Sequence, residues 1–133
     1  MEHKTKSRKV FICSPYRPRG NTKSERAKEL ENNREMAMEA CDYAVSCGYM
    51  PLAPHLYFTA FLSDEDETER ETGIHLGLEW LYESDEIWVI GSRITEGMKR
   101  EIRTAIRNEI PVRCFLPCRL SFEQFLKDIF SEH

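Results

Sequence analysis

The sequence predicts an α/β fold: a single-domain, three-layer, doubly wound and mainly parallel sheet (Rossmann- or flavodoxin-like) with helices on both faces. The first observation behind this prediction is that strand-like and helix-like segments alternate along the 133 residues. The second is the segment 87–90 (IWVI), which is apolar at every position, as is typical of a strand buried on both faces. Sheets of this kind bind ligands beyond the carboxyl ends of their strands.

The predicted elements follow one another in a regular order. The first strand, Lys9–Cys13, leads into a loop at residues 14–21, which two prolines and a glycine keep irregular. The other predicted elements are a helix at 24–47, a strand at 50–53, a helix at 68–84 preceded by a capping box of Asp64 and Glu67, the strand at 87–90, a helix capped by Thr95, a strand at 111–116 and an amphipathic helix at 121–131. We expect one domain over residues 1–133, with a flexible N-terminus at 1–8 and a C-terminal amphipathic helix within 119–133.

Composition and charge limit the classes of protein that fit this chain. A net charge of −4 gives no electrostatic basis for binding nucleic acid. No apolar run approaches the ~18 residues that a membrane span needs, and the N-terminus lacks a signal-peptide core, so we expect a cytoplasmic protein. The five cysteines are odd in number and have no CxxC spacing, which favours free thiols and argues against zinc. We expect no metal and no cofactor.

Three loops are predicted to meet at the carboxyl edge of the sheet: residues 14–21, 54–58 and 92–97. Pro54 is expected to end the second strand and to lead into the second loop. In the third loop, Thr95 caps a helix in which Glu101 lies beside the buried face. The start of a helix binds anions, because free N–H groups and the helix dipole point at the ligand. A carboxylate at that position is therefore a candidate functional group.

The pattern KVFICSPYR…PLAPHL…LEWLYESDEIWVIG…TEGMKREIRTA resembles the nucleoside 2-deoxyribosyltransferase-like superfamily over residues 9–112, and its small bacterial and phage members most closely. The most specific part is Thr95-x-Gly97-Met98-x-x-Glu101. The resemblance implies that Glu101 is the nucleophile that attacks C1′ of the sugar. Relatives that hydrolyse deoxynucleoside 5′-monophosphates carry a phosphate-binding Ser at the position of Thr95. The resemblance thus implies a nucleotide or nucleoside ligand, with phosphate held by Thr95 and the amides of Gly97 and Met98.

The sequence departs from this family at one position. Characterised members have an Asp near the sugar and the leaving base, and the alignment places Gly77 there. His75 or Glu79 are possible substitutes on the same helix. An enzyme that cleaves or transfers an N-glycosidic bond is the first hypothesis. The alternative is a catalytically weak module that binds a nucleotide or an ADP-ribose-type ligand, with Glu101 as an ordinary helix glutamate paired with a nearby arginine.

The remaining candidate site residues each have a structural alternative. Ser14, Tyr16 and Arg17 follow the first strand: Tyr16 stacks on base or sugar or closes the loop over the core, and Arg17 binds phosphate or stays solvated. His55 contacts the base or acts as a catalytic acid, or it is a hydrogen-bonded residue at a strand end. Asn33 is either a polar ligand contact or a surface helix residue.

The helix at 68–84 also suggests self-association, because its apolar residues occupy more than one side: Ile74, Leu76, Leu78, Trp80 and Leu81. Relatives of the superfamily form homo-oligomers. We therefore expect a homodimer or a higher homo-oligomer, with Trp80 or Leu76 in or near the interface.

Overall fold

The computed structural model describes residues 6–115 and 127, and within them a parallel sheet lies between helices on both faces. The strands are β1 (Lys9–Cys13), β2 (Met50–Leu52), β3 (Glu86–Val89) and β4 (Val112–Cys114). Their order in the sheet is β2-β1-β3-β4, and every neighbouring pair is parallel. The predicted α/β fold with a parallel sheet is confirmed.

The three longer helices each begin where a polar side chain accepts a hydrogen bond from a free amide of the first turn. The helical elements are α1 (Lys23–Ser46), α2 (Pro54–Tyr57), a 3₁₀ turn (Phe58–Ala60), α3 (Glu67–Tyr82) and α4 (Glu96–Arg107). Thr22 caps α1, Asp66 caps α3, and Thr95 caps α4 as predicted. The predicted cap of α3 at Asp64 was wrong. The Oγ of Ser63 accepts from Glu65 N at 3.3 Å, so the chain is still in a turn there and the helix starts later.

The two central strands, β1 and β3, are buried on both faces, and alternate side chains point to opposite layers. One layer packs α3 and α4 on the sheet through Phe11, Cys13, Leu81, Ile87, Val89, Met98, Ile102 and Ala105. The other packs α1 on it through Val10, Ile12, Ala40, Ala44 and Trp88. As a result, the last residue of β1, Cys13, faces α4.

The segment after β2 differs from the prediction. A loop was expected at 54–58, whereas the structure has the short helix Pro54–Tyr57 followed by the 3₁₀ turn. Proline suits the first position of a helix, because its missing N–H would have no partner there. The predicted flexible N-terminus lies mostly, and the C-terminal amphipathic helix almost entirely, outside the described residues. None of the described helices is long and apolar enough to cross a membrane.

The strand order determines where at the carboxyl edge of the sheet a ligand can bind. The chain moves outward in both directions from the boundary between β1 and β3, so the loops after these two strands diverge and leave a crevice. The loop after β1 carries Ser14, and the loop after β3 runs from Ile90 to the cap of α4. Ligand-binding groups on these loops face each other across the crevice.

Candidate functional site

A cleft of about 770 Å³ lies at the carboxyl edge of the sheet, within the size range of small-molecule sites. The loop after β1, α2 with its 3₁₀ turn, α3 and the start of α4 form its walls. Eight of the nine predicted site residues line it: Ser14, Tyr16, Arg17, His55, Thr95, Gly97, Met98 and Glu101. The ninth, Asn33, does not.

Glu101 is the central carboxylate of the cleft, partly buried on the second turn of α4. Burial raises its pKa to about 7, because the surrounding protein provides less stabilisation of the charged form than water does. A hydrogen bond with the thiol of Cys13 and the positive charge of Arg100 lower the pKa in part. Near neutral pH the side chain therefore exchanges between acid and carboxylate.

Cys13 is a site residue that the sequence analysis missed. Its fully buried thiol ends β1 on the side of α4, where it contacts Glu101 and lies 3.8 Å from the carbonyl oxygen of Met98. The sequence did contain a signal for this residue. Side chains alternate between the two faces of a strand, so Cys13 lies on the same face of β1 as Phe11, toward α4. A thiol at that position is a hydrogen-bond partner for the carboxyl group of Glu101.

Ser14, Tyr16 and His55 form a second cluster in the cleft. The Ser14 Oγ and His55 Nε2 are 3.1 Å apart, and the Tyr16 ring meets the imidazole edge-on at 5.5 Å between centroids. Burial lowers the pKa of His55 to about 4, so its ring is neutral at pH 7. A neutral imidazole serves as a hydrogen-bond partner for a base or sugar, whereas a proton-donating imidazolium would be scarce at that pH.

The start of α4 presents a different pair of free amides to the cleft from the pair expected. The Oγ1 of Thr95 accepts a hydrogen bond from Met98 N at 3.2 Å, so the cap already occupies the Met98 amide. The side chain of Met98 is buried in the core. Within the described part of the chain, the amides of Glu96 and Gly97 have no hydrogen-bond partner. An anion at this end would meet these two amides and the hydroxyl hydrogen of Thr95.

Arg17 and Asn33 have partners within the protein. The Nε of Arg17 lies 3.1 Å from Asp64 Oδ2, so the guanidinium is already paired with a carboxylate at the cleft rim. Asn33 is buried on α1, and its Nδ2 donates to the carbonyl of Tyr16 at 3.0 Å. Asn33 holds the loop after β1 in place and does not face the ligand space.

Four other arginines line the cleft and were not among the predicted residues: Arg19, Arg70, Arg93 and Arg100. Arg93 lies in the loop at 92–97, which the sequence analysis had already placed at this edge. Its position in that loop could have identified Arg93 as a candidate phosphate ligand, because an arginine beside a helix start is a common partner of phosphate.

Gly77, where the resemblance places an Asp in the family, is buried in the cleft wall on α3. A Cβ at this position would lie 3.4 Å from both Cβ and Cγ of Pro54, so α2 packs closely against it. His75 and Glu79 pair with each other at 3.5 Å on the exposed side of α3, and neither lines the cleft. Neither residue supplies the missing carboxylate.

The described residues contain no candidate metal site, because no group of three or more His, Cys, Asp or Glu side chains lies close enough together to hold an ion. Within this part of the chain, Cys13, Cys41, Cys47 and Cys114 form no disulfide.

Comparisons with known proteins agree with this architecture. The family described as Domain of unknown function (DUF7768) matches residues 8–115. A solved structure of 2-deoxyribosyltransferase from the psychrotolerant bacterium Bacillus psychrosaccharolyticus is similar, with a TM-score of 0.53 and 17% identity over 80% of this chain and 71% of that one. At this identity the likeness shows a shared fold. No curated protein matches the chain.

Proposed function

The chain belongs to the DUF7768 family, and we propose that it is a nucleotide- or nucleoside-binding enzyme that cleaves or transfers an N-glycosidic bond, with Glu101 as nucleophile. The observation that carries this proposal is the position of Glu101: a partly buried carboxyl group beside the N-terminus of α4, facing a cleft of small-molecule size. The fold shared with a 2-deoxyribosyltransferase supports it.

The chemistry follows from the charge of Glu101. As the bond between C1′ and the base nitrogen breaks, its electron pair leaves with the base and positive charge builds on the sugar. A Glu101 oxygen stabilises that charge and then bonds to C1′. In the second step, water or the nitrogen of another base attacks C1′, and the bond between C1′ and Glu101 breaks to release the carboxylate. The proton lost by the attacking group replaces the one that the departing base needs, so the overall result is hydrolysis or transfer.

The other cleft residues bind and orient the ligand in this proposal. Thr95 and the free amides of Glu96 and Gly97 hold a phosphoryl group at the start of α4. Neutral His55, with Ser14 and Tyr16, contacts the base and the sugar. Asn33 holds the backbone of Tyr16 in place, and the Tyr16 ring offers a stacking surface for base or sugar.

The pKa of Glu101 predicts how activity depends on pH. The nucleophile must be ionised, and its pKa of about 7 means that the ionised fraction grows as the pH rises through neutrality. We expect kcat/KM to rise about tenfold per pH unit below pH 7 and to level off above it. His55 stays neutral over this range and adds no step. A profile that is flat between pH 5 and 8 would contradict the assignment.

The direct test is Glu101→Gln, which keeps size and hydrogen bonding but removes the charge that the transition state needs. We expect the release of free base from a panel of ribo- and deoxyribonucleotides to fall by about 10²-fold or more, with ligand affinity nearly unchanged. Glu83→Gln is the matched control, because Glu83 is exposed at the end of α3 and outside the cleft. Equal base release by wild type and Glu101→Gln would refute the proposal.

The alternative, a binding module without efficient catalysis, is favoured by one observation. Gly77 leaves no carboxylate where the resemblance expects one, and a Cβ there would already be in van der Waals contact with Pro54 of α2, at 3.4 Å. In this case the wild-type protein binds nucleotides tightly and releases no base. The base-release panel therefore separates the two functions in one experiment.

A further inference from the structure

Arg19 and Arg93 are two cationic groups of the cleft that the proposed chemistry does not use. Both line the cleft, from the loops after β1 and β3. Within the described residues, neither guanidinium has a carboxylate oxygen within 4.0 Å, whereas the nearby Arg17 is paired with Asp64. Neither arginine therefore has a directly paired counterion, and the more distant carboxylate of Glu29 acts on both electrostatically.

The two loops are held against each other by glycine geometry. Gly91 has a φ of +123°, and a Cβ there would be 2.7 Å from Cδ of Pro15. Only glycine permits this approach, which brings the loop after β3 onto the loop after β1. Arg93 then reaches across, and its Nη2 donates to the carbonyl of Arg17 at 3.4 Å.

Arg19 is fixed from the other side. The carboxylate of Glu29 on α1 accepts from the amides of Arg19 and Gly20, the latter at 2.8 Å. That carboxylate is therefore committed to the backbone of the loop. Burial lowers the pKa of Arg93, the adjacent charge of Arg19 lowers it further, and Glu29 offsets part of this effect. The charge of Arg19 thus acts on Arg93 across the two loops, and an anion between the two guanidinium groups would relieve this repulsion.

The pair lies next to the phosphate position proposed at the start of α4 and is separate from the groups that form it. Arg93 precedes the capping residue Thr95 by two positions, so their backbones are at most about 7 Å apart. Two adjoining phosphoryl groups of one ligand can therefore contact the start of α4 and the arginine pair at the same time. Arginine suits this task because its planar fork binds two phosphoryl oxygens at once.

We infer that Arg19 and Arg93 form a subsite for the second phosphoryl group of a nucleotide whose first phosphoryl group lies at the N-terminus of α4. The inference rests on the proposed function, since it takes a nucleotide to be the ligand of the cleft. It narrows the ligand class to nucleotides with a diphosphate, either terminal, as in a nucleoside diphosphate, or bridging to a second sugar.

The test measures affinity by calorimetry in the Glu101→Gln background, so that turnover does not interfere. A nucleoside monophosphate, the matching diphosphate and a diphosphate capped by a second sugar are compared. We expect the diphosphate forms to bind roughly 10- to 100-fold more tightly than the monophosphate. Arg93→Gln and Arg19→Gln should each reduce that advantage, and the double variant should abolish it with monophosphate affinity nearly unchanged. The capped ligand shows whether the second phosphoryl group is terminal or bridging.

Two controls keep this result specific. Arg107→Gln removes one positive charge from the exposed end of α4, outside the cleft, and should leave all affinities unchanged. Arg19→Gln keeps the backbone contacts with Glu29, so its effect does not depend on the fold of the loop. Equal losses for mono- and diphosphates in Arg93→Gln, or an equal effect of Arg107→Gln, would overturn the second subsite.

The outcome is independent of the proposed reaction. If the wild type releases no base but the arginine variants still remove the diphosphate advantage, the catalytic proposal fails and the subsite stands. Inorganic pyrophosphate and phosphate test the pair without any base or sugar. Tighter binding of pyrophosphate that depends on Arg93 supports the subsite even if no nucleotide binds, and equal binding of both anions counts against it.

Discussion

At the scale of single residues, we expect the ionised side chain of Glu101 to destabilise the folded protein, although the proposed reaction requires that charge. The carboxyl pKa is raised from 4.5 to about 7, so between these values the native state holds a proton that the unfolded chain has lost. Stability therefore falls as the pH rises through this window, by up to about 3 kcal/mol. Glu101→Gln should remove this penalty and be more stable than the wild type at pH 8, with little difference at pH 4. Urea unfolding at both pH values measures it. A variant that is less stable at pH 8 would show that burial does not destabilise the carboxylate.

His55 has the opposite dependence on pH. Its pKa is lowered from 6.5 to about 4, so between these values the unfolded chain binds the extra proton. Its contribution to stability is fully present above pH 6.5 and is lost as the pH falls through 4. In the wild type this trend and that of Glu101 largely cancel between pH 4.5 and 6.5. The same unfolding series on Glu101→Gln should reveal the His55 trend alone, as stability that rises with pH.

Cys13 should act on the reaction through Glu101. Its thiol lowers the pKa of the carboxyl group, so Cys13→Ala should move the acidic limb of the kcat/KM profile to higher pH. The shift should be about 0.4 to 1 pH unit, which corresponds to one ordinary hydrogen bond. Cys13→Ser keeps a donor and should restore most of the wild-type profile. If alanine and serine shift the profile equally, Cys13 is only a packing residue.

Residue patterns within one element were predictable from the sequence, and contacts between elements were not. Thr95 and Glu101 lie on one helix, so their spacing alone places both at its first two turns. The hydrogen bond between Cys13 and Glu101, and the approach of Arg93 to Arg17, join segments about 80 residues apart in the chain. No local pattern encodes the register that brings such residues together.

At the scale of elements, Gly91 determines how the two loops of the cleft meet. Gly91→Ala adds a Cβ that would be 2.7 Å from Pro15 and places alanine at a φ of +123°. We expect the loop after β3 to move, and nucleotide affinity to fall by about tenfold or more, because Thr95 and Arg93 shift together.

Gly48→Ala is the matched control for this variant. Gly48 also has a positive φ, +85°, but a Cβ there would meet nothing within 4 Å. Its substitution should lower the unfolding free energy by about 1–2 kcal/mol through backbone strain alone and leave affinity unchanged. If both alanine variants lose affinity equally, the contact between the loops is not what positions the site.

The fold was predicted correctly because its central strand and the cap of α4 carry clear local signals in the sequence, whereas α2 carries none. The apolar stretch in β3 and the caps at the start of α4 gave correct positions for both elements. The four residues of α2 are too few to show a helical period, and Pro54 at their start was taken as a break. Packing against Gly77 on α3 stabilises that short helix, and this contact becomes visible only in three dimensions.

At the scale of the whole molecule, exposed aromatic side chains cluster on one surface. Tyr57, the last residue of α2, is 55% exposed, and Phe61, just after the 3₁₀ turn, is 59% exposed. The centroid of the Tyr57 ring lies 5.4 Å from those of both Phe61 and Trp80. Ile74 on α3 is a further exposed apolar residue. Contiguous apolar surface of this kind marks protein–protein contact. The position of Trp80 beside it agrees with the interface that the sequence predicts.

We therefore predict that the protein is at least a dimer through the surface formed by Tyr57, Phe61 and Trp80. The double variant Tyr57→Ser/Phe61→Ser should shift the mass measured by light scattering at micromolar concentration to that of a monomer, because an interface depends on a few buried aromatic side chains. Met38→Ser is the control, since Met38 is 58% exposed on α1, on the opposite face of the sheet, and should leave the mass unchanged. A wild-type protein that is monomeric at this concentration, or a double variant that stays dimeric, would contradict this assignment of the surface.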